Sequence, residues 1–148
     1  SGEALAALAG VCREEDAILV FVDDVERAAR GADGVLFMDV AAPIAIARAA
    51  LGTRALLGMA ASNARDAQLA REVDADFLVY DVAAAGDGAA VLRDAGSVPV
   101  YAAGLRSAND ARAAVDDGYF RLCVPLGADS AAAREHVATF ARMIGRTV

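Results

Sequence analysis

GADGVLFMDVAAPIAIARAALGTRALLGMA, residues 31–60, is the stretch on which the fold turns. Its first apolar run, residues 34–38, is too short for a helix and reads as a buried strand. Asp39 follows at once, and a helical pattern then runs from Pro43 through Arg48 until Gly52 stops it. Residues 55–59 form the next apolar run. Strand, helix and strand within about thirty residues make a βαβ crossover, the unit from which parallel sheets are built.

The same unit recurs on both sides. Upstream, residues 3–12 carry the helical spacing Leu5, Leu8 and Val11, with Cys12 ending the pattern. Residues 17–22 read as a strand ending in Asp23 and Asp24, and residues 25–30 as a short helix. Downstream, Ser62 is the expected N-cap of a helix over 64–73, because its hydroxyl can accept an orphan backbone N–H. Strands are expected at 77–80, 98–102 and 120–124, each with few polar breaks. Helices are expected at 89–94, at 109–116 behind Ser107, and from Asp129 and Ser130 to the neighbourhood of Ile144. Gly96 and Gly118 serve as stops.

Six βα units in strict alternation imply an α/β fold, a (βα)-barrel-like parallel sheet forming one domain over residues 1–148. The strands lack in-out alternation, as expected when both faces of a sheet are covered. An open doubly wound sheet is the alternative. A full TIM barrel usually takes more than roughly 200 residues, so a barrel of this length is an incomplete one with six βα units. No G-x-G-x-x-G fingerprint supports the doubly wound reading.

Composition narrows the function classes. Hydrophobic residues make up 57% of the chain, enough for a sizeable core. A net charge of −7 argues against nucleic-acid and anionic-membrane partners. No apolar run approaches the roughly eighteen residues of a membrane span, and no signal-peptide layout opens the chain, so a cytoplasmic location is expected. Cys12 and Cys123 form no motif and read as small buried hydrophobes. Fourteen arginines and no lysine exclude Schiff-base chemistry and a lysine phosphate clamp. His136 lies mid-helix among polar residues and reads as a surface side chain.

In either architecture the working face lies at the carboxyl ends of the strands. Those ends supply Asp23, Asp24, Asp39, Ser62, Asn63, Asp81, Gly104, Arg106, Ser107, Gly127 and Ser130. Clustered carboxylates suit a hard divalent cation, and the same residue types also serve simply as loop and N-cap residues. Gly104 and Gly127 each precede a helix start. In barrels the last two βα loops often hold a phosphate on bare backbone N–H groups, and Arg106 adds a guanidinium beside them. The acids at Asp23, Asp24 and Asp39 superficially match a response-regulator receiver domain. The spacing is one βα unit short, and that family's strand-end lysine is absent.

Taken in order, GADGV at Gly31, Pro43, ALLGM at Ala55, ADFLVYD at Ala75 and VPVYAAG at Val98 resemble the thiamin-phosphate synthase family, which includes thiazole tautomerase-like relatives. The preceding LVFVDDVERA resembles that family's third-strand segment. The resemblance spans nearly the whole chain and corresponds to strands three to eight of a (βα)₈ barrel, without the first two βα units. It implies a phosphorylated small-molecule ligand held on the backbone at Gly104 and the turn before Gly127, beside which Arg106 stands, and Mg²⁺ held by Asp23, with Asp39 near the position of a second metal acid. If the chain turns a substrate over, the resemblance implies a transferase.

The departures from that family are chemical. Its second metal acid falls on Ala41, its Ser-x-His segment becomes Ala60, Ala61 and Ser62, and its lysine-containing pyrophosphate loop becomes residues 82–86, VAAAG. The reading is therefore a phosphate-binding barrel related to thiamin biosynthesis but catalytically degenerate, the alternative being a non-catalytic ligand-binding or protein-interaction domain of barrel type. Two unpaired strand edges and an exposed apolar interior further imply a homo-oligomer covering residues 17–22 or 120–124.

Overall fold

Strand and helix alternate as the apolar runs require. The computed structural model describes residues 2–39, 44–127 and 129–143. Helix α1 (Gly2–Glu14) leads into β1 (Val20–Val22), α2 (Val25–Ala28), β2 (Gly34–Phe37), α3 (Ile44–Leu51) and β3 (Leu56–Ala60). There follow α4 (Ala64–Glu72), β4 (Phe77–Asp81), α5 (Gly88–Asp94), β5 (Val100–Ala103), α6 (Ala108–Asp116), β6 (Arg121–Leu122) and α7 (Ser130–Met143). Pro43, expected to open α3, and Ile144, expected near the end of α7, lie outside the described residues.

All neighbouring strands are parallel, in the order β1-β2-β3-β4-β5-β6. A doubly wound sheet reverses its strand order at a switch point, and this one does not. The sheet curls into an incomplete barrel, so that side chains from β1, β4 and β6 line one interior. Its outward face carries Val35, Leu57, Met59, Leu78, Tyr80, Val100 and Ala102, packed against the helices. Alanines 67, 70, 111 and 114 meet that face from α4 and α6 and are at most 2% exposed. Their small size lets the helices sit close, which accounts for much of the alanine content. Burying a side chain such as Leu57 or Leu78 stabilises the fold by roughly 1.5–3 kcal/mol. The inward face carries Leu36, Phe77 and Val79 with Val20, Leu56, Tyr101, Ala103 and Cys123. Gly58 makes room there, since a Cβ at that position would lie 2.2 Å from the Phe77 ring.

Register is fixed by two equivalent aspartates at the amino ends of the strands. Asp33 accepts the Leu19 N–H at 2.8 Å, and its own N–H donates to the Leu19 carbonyl at 2.7 Å. Asp76 repeats the arrangement on Leu57, accepting at 2.8 Å and donating at 2.7 Å. Asp76 also pairs with Arg48 at 2.9 Å, whose guanidinium donates to the carbonyls of Ala55 and Asp74 as well. Each clamp ties the start of one strand to the start of the previous one. Both sit on the face opposite the rim.

Four local expectations are corrected. The first strand is Val20–Val22 and not 17–22, because the Leu19 N–H goes to the Asp33 side chain and the regular ladder starts only at Val20. The sixth is Arg121–Leu122 and not 120–124, since as an edge strand it has only β5 to pair with. Cys12 does not end its helix, which continues to Glu14. The N-cap of α4 is Asn63, which accepts the Asp66 N–H at 3.0 Å, while the Ser62 N–H and hydroxyl donate to Asp66.

Where the strands leave a gap, the helices close it. α1 packs on α7, Glu14 pairs with Arg134 across the contact, and Leu5, Cys12 and Leu19 form an apolar cluster reached by Leu126. The first and last helices thus meet across the gap that the first and last strands leave. Among the described residues no helix is long and apolar enough to cross a membrane.

Candidate functional site

The carboxyl ends of the strands and the helix starts that follow them form a rim rich in acids. Asp23 sits just past β1 in the left-handed region, at φ +53°. Its N–H donates to the Leu36 carbonyl and its carboxylate accepts the Met38 N–H at 3.1 Å. That bond draws the end of β1 onto the end of β2, where Asp39 follows Met38 and is exposed. The two acids expected to hold a metal therefore stand on adjoining strand ends. Among the described residues no group of three or more His, Cys, Asp or Glu side chains is placed to hold a metal ion. Two carboxylates alone leave most of a Mg²⁺ octahedral shell to water.

Most of the remaining acids are caps. Asp24 accepts the Arg27 N–H of α2 at 2.8 Å, Asp87 accepts the Ala90 N–H of α5 at 3.0 Å, and Asp129 accepts the Ala131 N–H of α7 at 2.9 Å. Asp81 closes a turn on the Ala83 N–H at 2.9 Å. In α4 and α6 the same device is built twice over. Asn63 and Ser107 cap the helices, while Asp66 and Asp110, three residues on, reach back to the N–H groups of Ser62 and Arg106 at 2.9 and 2.8 Å. This is close to a capping box, with a carboxylate meeting the partial positive charge of the helix start.

At the two turns expected to hold an anion, the structure gives unequal answers. Gly104 ends β5 at φ +76°, where a side chain is strained, and a Cβ there would lie 2.0 Å from the Asp81 carboxylate. Glycine is needed on both counts. Gly127, past β6, is exposed, and a Cβ there would meet nothing within 4 Å. Arg106 is engaged: its backbone N–H binds Asp110 at 2.8 Å and its Nε lies 3.4 Å from the same oxygen, with the side chain 80% exposed. The Arg106 N–H, seconded by its guanidinium, holds the Asp110 carboxyl below the usual carboxylate range. His136 is exposed and stacks on Phe140 with 5.0 Å between ring centres, away from the rim.

A second concave feature is the interior of the incomplete barrel, expected from the sequence as an exposed apolar face. It is a cavity of about 930 Å³ lined by the inward residues of the sheet, by Leu8 and Cys12 of α1 and by Val137, Phe140 and Ala141 of α7. Its inward positions are every second strand residue, which a strand buried on both faces does not mark in sequence. The contact between α1 and α7 that walls them in is not marked there either.

Six βα units curled in sequence, with capped helix starts on one rim, define an incomplete (βα) barrel. Within that class the likeness is to thiamin-phosphate synthases. The fold matches thiamine phosphate pyrophosphorylase from Pyrococcus furiosus with a TM-score of 0.72, over 97% of this chain and 75% of that one, at 23% identity. In sequence, 77 residues, 51% of this chain, are 40% identical to the thiamine biosynthesis bifunctional protein ThiM/ThiE of Symbiobacterium thermophilum, of whose length they span 16%. No protein-family model matches the chain. The chain is thus thiamin-phosphate-synthase-like in its fold, and half of it resembles a thiamine-biosynthesis protein in sequence.

Proposed function

We propose that the chain is a phosphate-binding barrel related to thiamin biosynthesis that takes a phosphorylated small molecule on its carboxyl-end rim and no longer performs the synthase reaction. The observation that carries the reading is Gly104. A left-handed glycine ends the fifth strand in a fold matched over nearly the whole chain by a thiamine phosphate pyrophosphorylase. Such a turn lets a ligand approach the backbone closely, and the start of α6, where Asp110 now holds the Arg106 N–H, lies just beyond it. Arg106 would turn from Asp110 to the ligand, at little cost for an exposed pair. Asp23 and Asp39 would add Mg²⁺ weakly, through a pyrophosphate on the ligand.

Degeneracy rests on chemistry that the side chains lack. The chain has no lysine to neutralise a leaving pyrophosphate. Ala60, Ala61 and Ser62 offer no general acid or base, and residues 82–86 are apolar apart from their backbone. Acids at Asp81 and Asp110 also crowd the anion turn. The alternative, a non-catalytic interaction domain, draws on the exposed Ile18, Val22 and Phe120, at 48%, 55% and 72%. These flank the strand edges and are the surface on which a homo-oligomer would form.

Backbone NMR during titration with inorganic phosphate and pyrophosphate tests the site. Shifts at Gly104, Arg106 and Gly127 are expected, weakened by Gly104→Val, and shifts confined to other residues would remove the site. Thiamin phosphate formed from its two precursors by this chain would overturn the claim of degeneracy. Light scattering decides the oligomer, and a clean monomer at micromolar concentration would dispose of it.

A further inference from the structure

Asp81 ends β4 directly beside the Gly104 turn, since its register partner on β5 is Ala103. The three atoms nearest to a Cβ built on Gly104 are Oδ1 and Cγ of Asp81 and the Ala83 methyl carbon. A side chain at residue 104 would displace the carboxylate, whereas glycine lets it lie against bare backbone. The Ala83 N–H holds Oδ1 there at 2.9 Å, and among the described residues this is the carboxylate's one hydrogen bond. Asp81 is exposed, so Oδ2 faces solvent on the rim. The nearby guanidinium of Arg106 pairs with Asp110 instead. An anion resting on Gly104 therefore meets a carboxylate that no side chain neutralises. Two such charges repel unless a proton lies between them.

We propose, resting on the reading of Gly104 as an anion turn, that Asp81 decides which anion the turn accepts. It selects a singly ionised phosphomonoester, whose P–OH donates to Asp81 Oδ2, and rejects a sulfate ester. A carboxylate can only accept hydrogen bonds, so its partner must bring the proton. The two esters share one negative charge and nearly one shape, and only the phosphate carries an O–H. With that O–H the repulsion becomes a charge-assisted hydrogen bond. Without it, Asp81 faces the sulfate group charge against charge.

Methyl phosphate and methyl sulfate are titrated against the whole chain while backbone NMR follows Gly104 and Leu105. The titrations run at about pH 6, where roughly half of a phosphomonoester keeps its second proton. Methyl phosphate is expected to bind at least about tenfold tighter than methyl sulfate, the worth of one hydrogen bond to a charged group. Asp81→Asn removes the charge and offers an N–H donor, so it should bring the two affinities together, chiefly by tightening methyl sulfate. Glu72→Gln removes the same charge at the far end of α4 and should leave the ratio as in the parent. Equal affinities in the parent, or a ratio that survives Asp81→Asn, would overturn the role of Asp81 and leave the anion turn standing. No shift at Gly104 with either ester, in the parent and in Asp81→Asn alike, would remove the turn and this proposal with it.

Discussion

Replacing Asp76 by alanine tests how this sheet is held in register. The carboxylate accepts the Leu57 N–H at 2.8 Å and an Arg48 N–H at 2.9 Å. Leu57 is fully buried, so the variant leaves its amide without a partner inside the protein. Losing a charged acceptor from a buried amide costs about 1.5–3 kcal/mol. The ion pair adds little, because its side chains are 28% and 32% exposed, and partly exposed pairs contribute about 0–1 kcal/mol. Residual access of water to the site offsets part of the loss. The expected destabilisation is about 2 kcal/mol, or roughly 6 °C in Tm for a chain of this size. Asp76→Asn keeps an acceptor and should lose about half as much, and Asp33→Ala, with no arginine partner among the described residues, somewhat less than Asp76→Ala. Urea unfolding followed by circular dichroism measures this, with an unchanged m-value showing that the denatured state is the same. Because the clamp lies on the face opposite the rim, phosphate titration of a folded Asp76→Ala variant should match the parent. A destabilisation below about 0.5 kcal/mol would refute the register argument.

Tyr119 is 3% exposed, and its hydroxyl is buried without a hydrogen-bond partner. Tyr119→Phe should therefore leave stability unchanged or raise it by up to about 1 kcal/mol, and a loss larger than that in urea would show a partner in solution. Burial also pushes this phenol from 10.0 up to about 12. Its folded value is raised, so its contribution is present in full below pH 10 and is lost as pH rises toward 12. Tyr119→Phe should lack that part of the alkaline decline, as base titration by circular dichroism would show. Asp110 has the opposite sign. Its folded value is depressed, so the cap on α6 is present at neutral pH and is lost as pH falls through a value below 3.8. The Arg106 amide should report that midpoint by NMR, and a midpoint above 3.8 would contradict the bond. Gly58→Val should be among the most damaging single changes, at roughly 3 kcal/mol or more, because its side chain would occupy the space of the Phe77 ring. A Gly58→Val variant with the parent's melting temperature would show that Phe77 can move aside freely.

How much of this was legible depends on the range of the interaction. Six units and their order follow from apolar runs of four or five residues and the glycines between them, because a buried parallel strand leaves that trace locally. The ends of β1 and β6 were overread because an edge strand has one neighbour, and apolar composition does not count neighbours. GADGV and ADFLVYD were legible as a resemblance. The work of Asp33 and Asp76 within them was not, since their partners Leu19 and Leu57 are 14 and 19 residues away. The rim acids were legible as candidates, yet the same spacing that suits a cation also suits a cap. Asp66 and Asp110 betray their role only through their distance of three residues from Asn63 and Ser107. The interior was legible only as an exposed apolar face. Its wall from α1 and α7, which meet where Glu14 pairs with Arg134 across 120 residues, is encoded by no local period. Local signals thus determined the rim, where each helix starts beside its own strand.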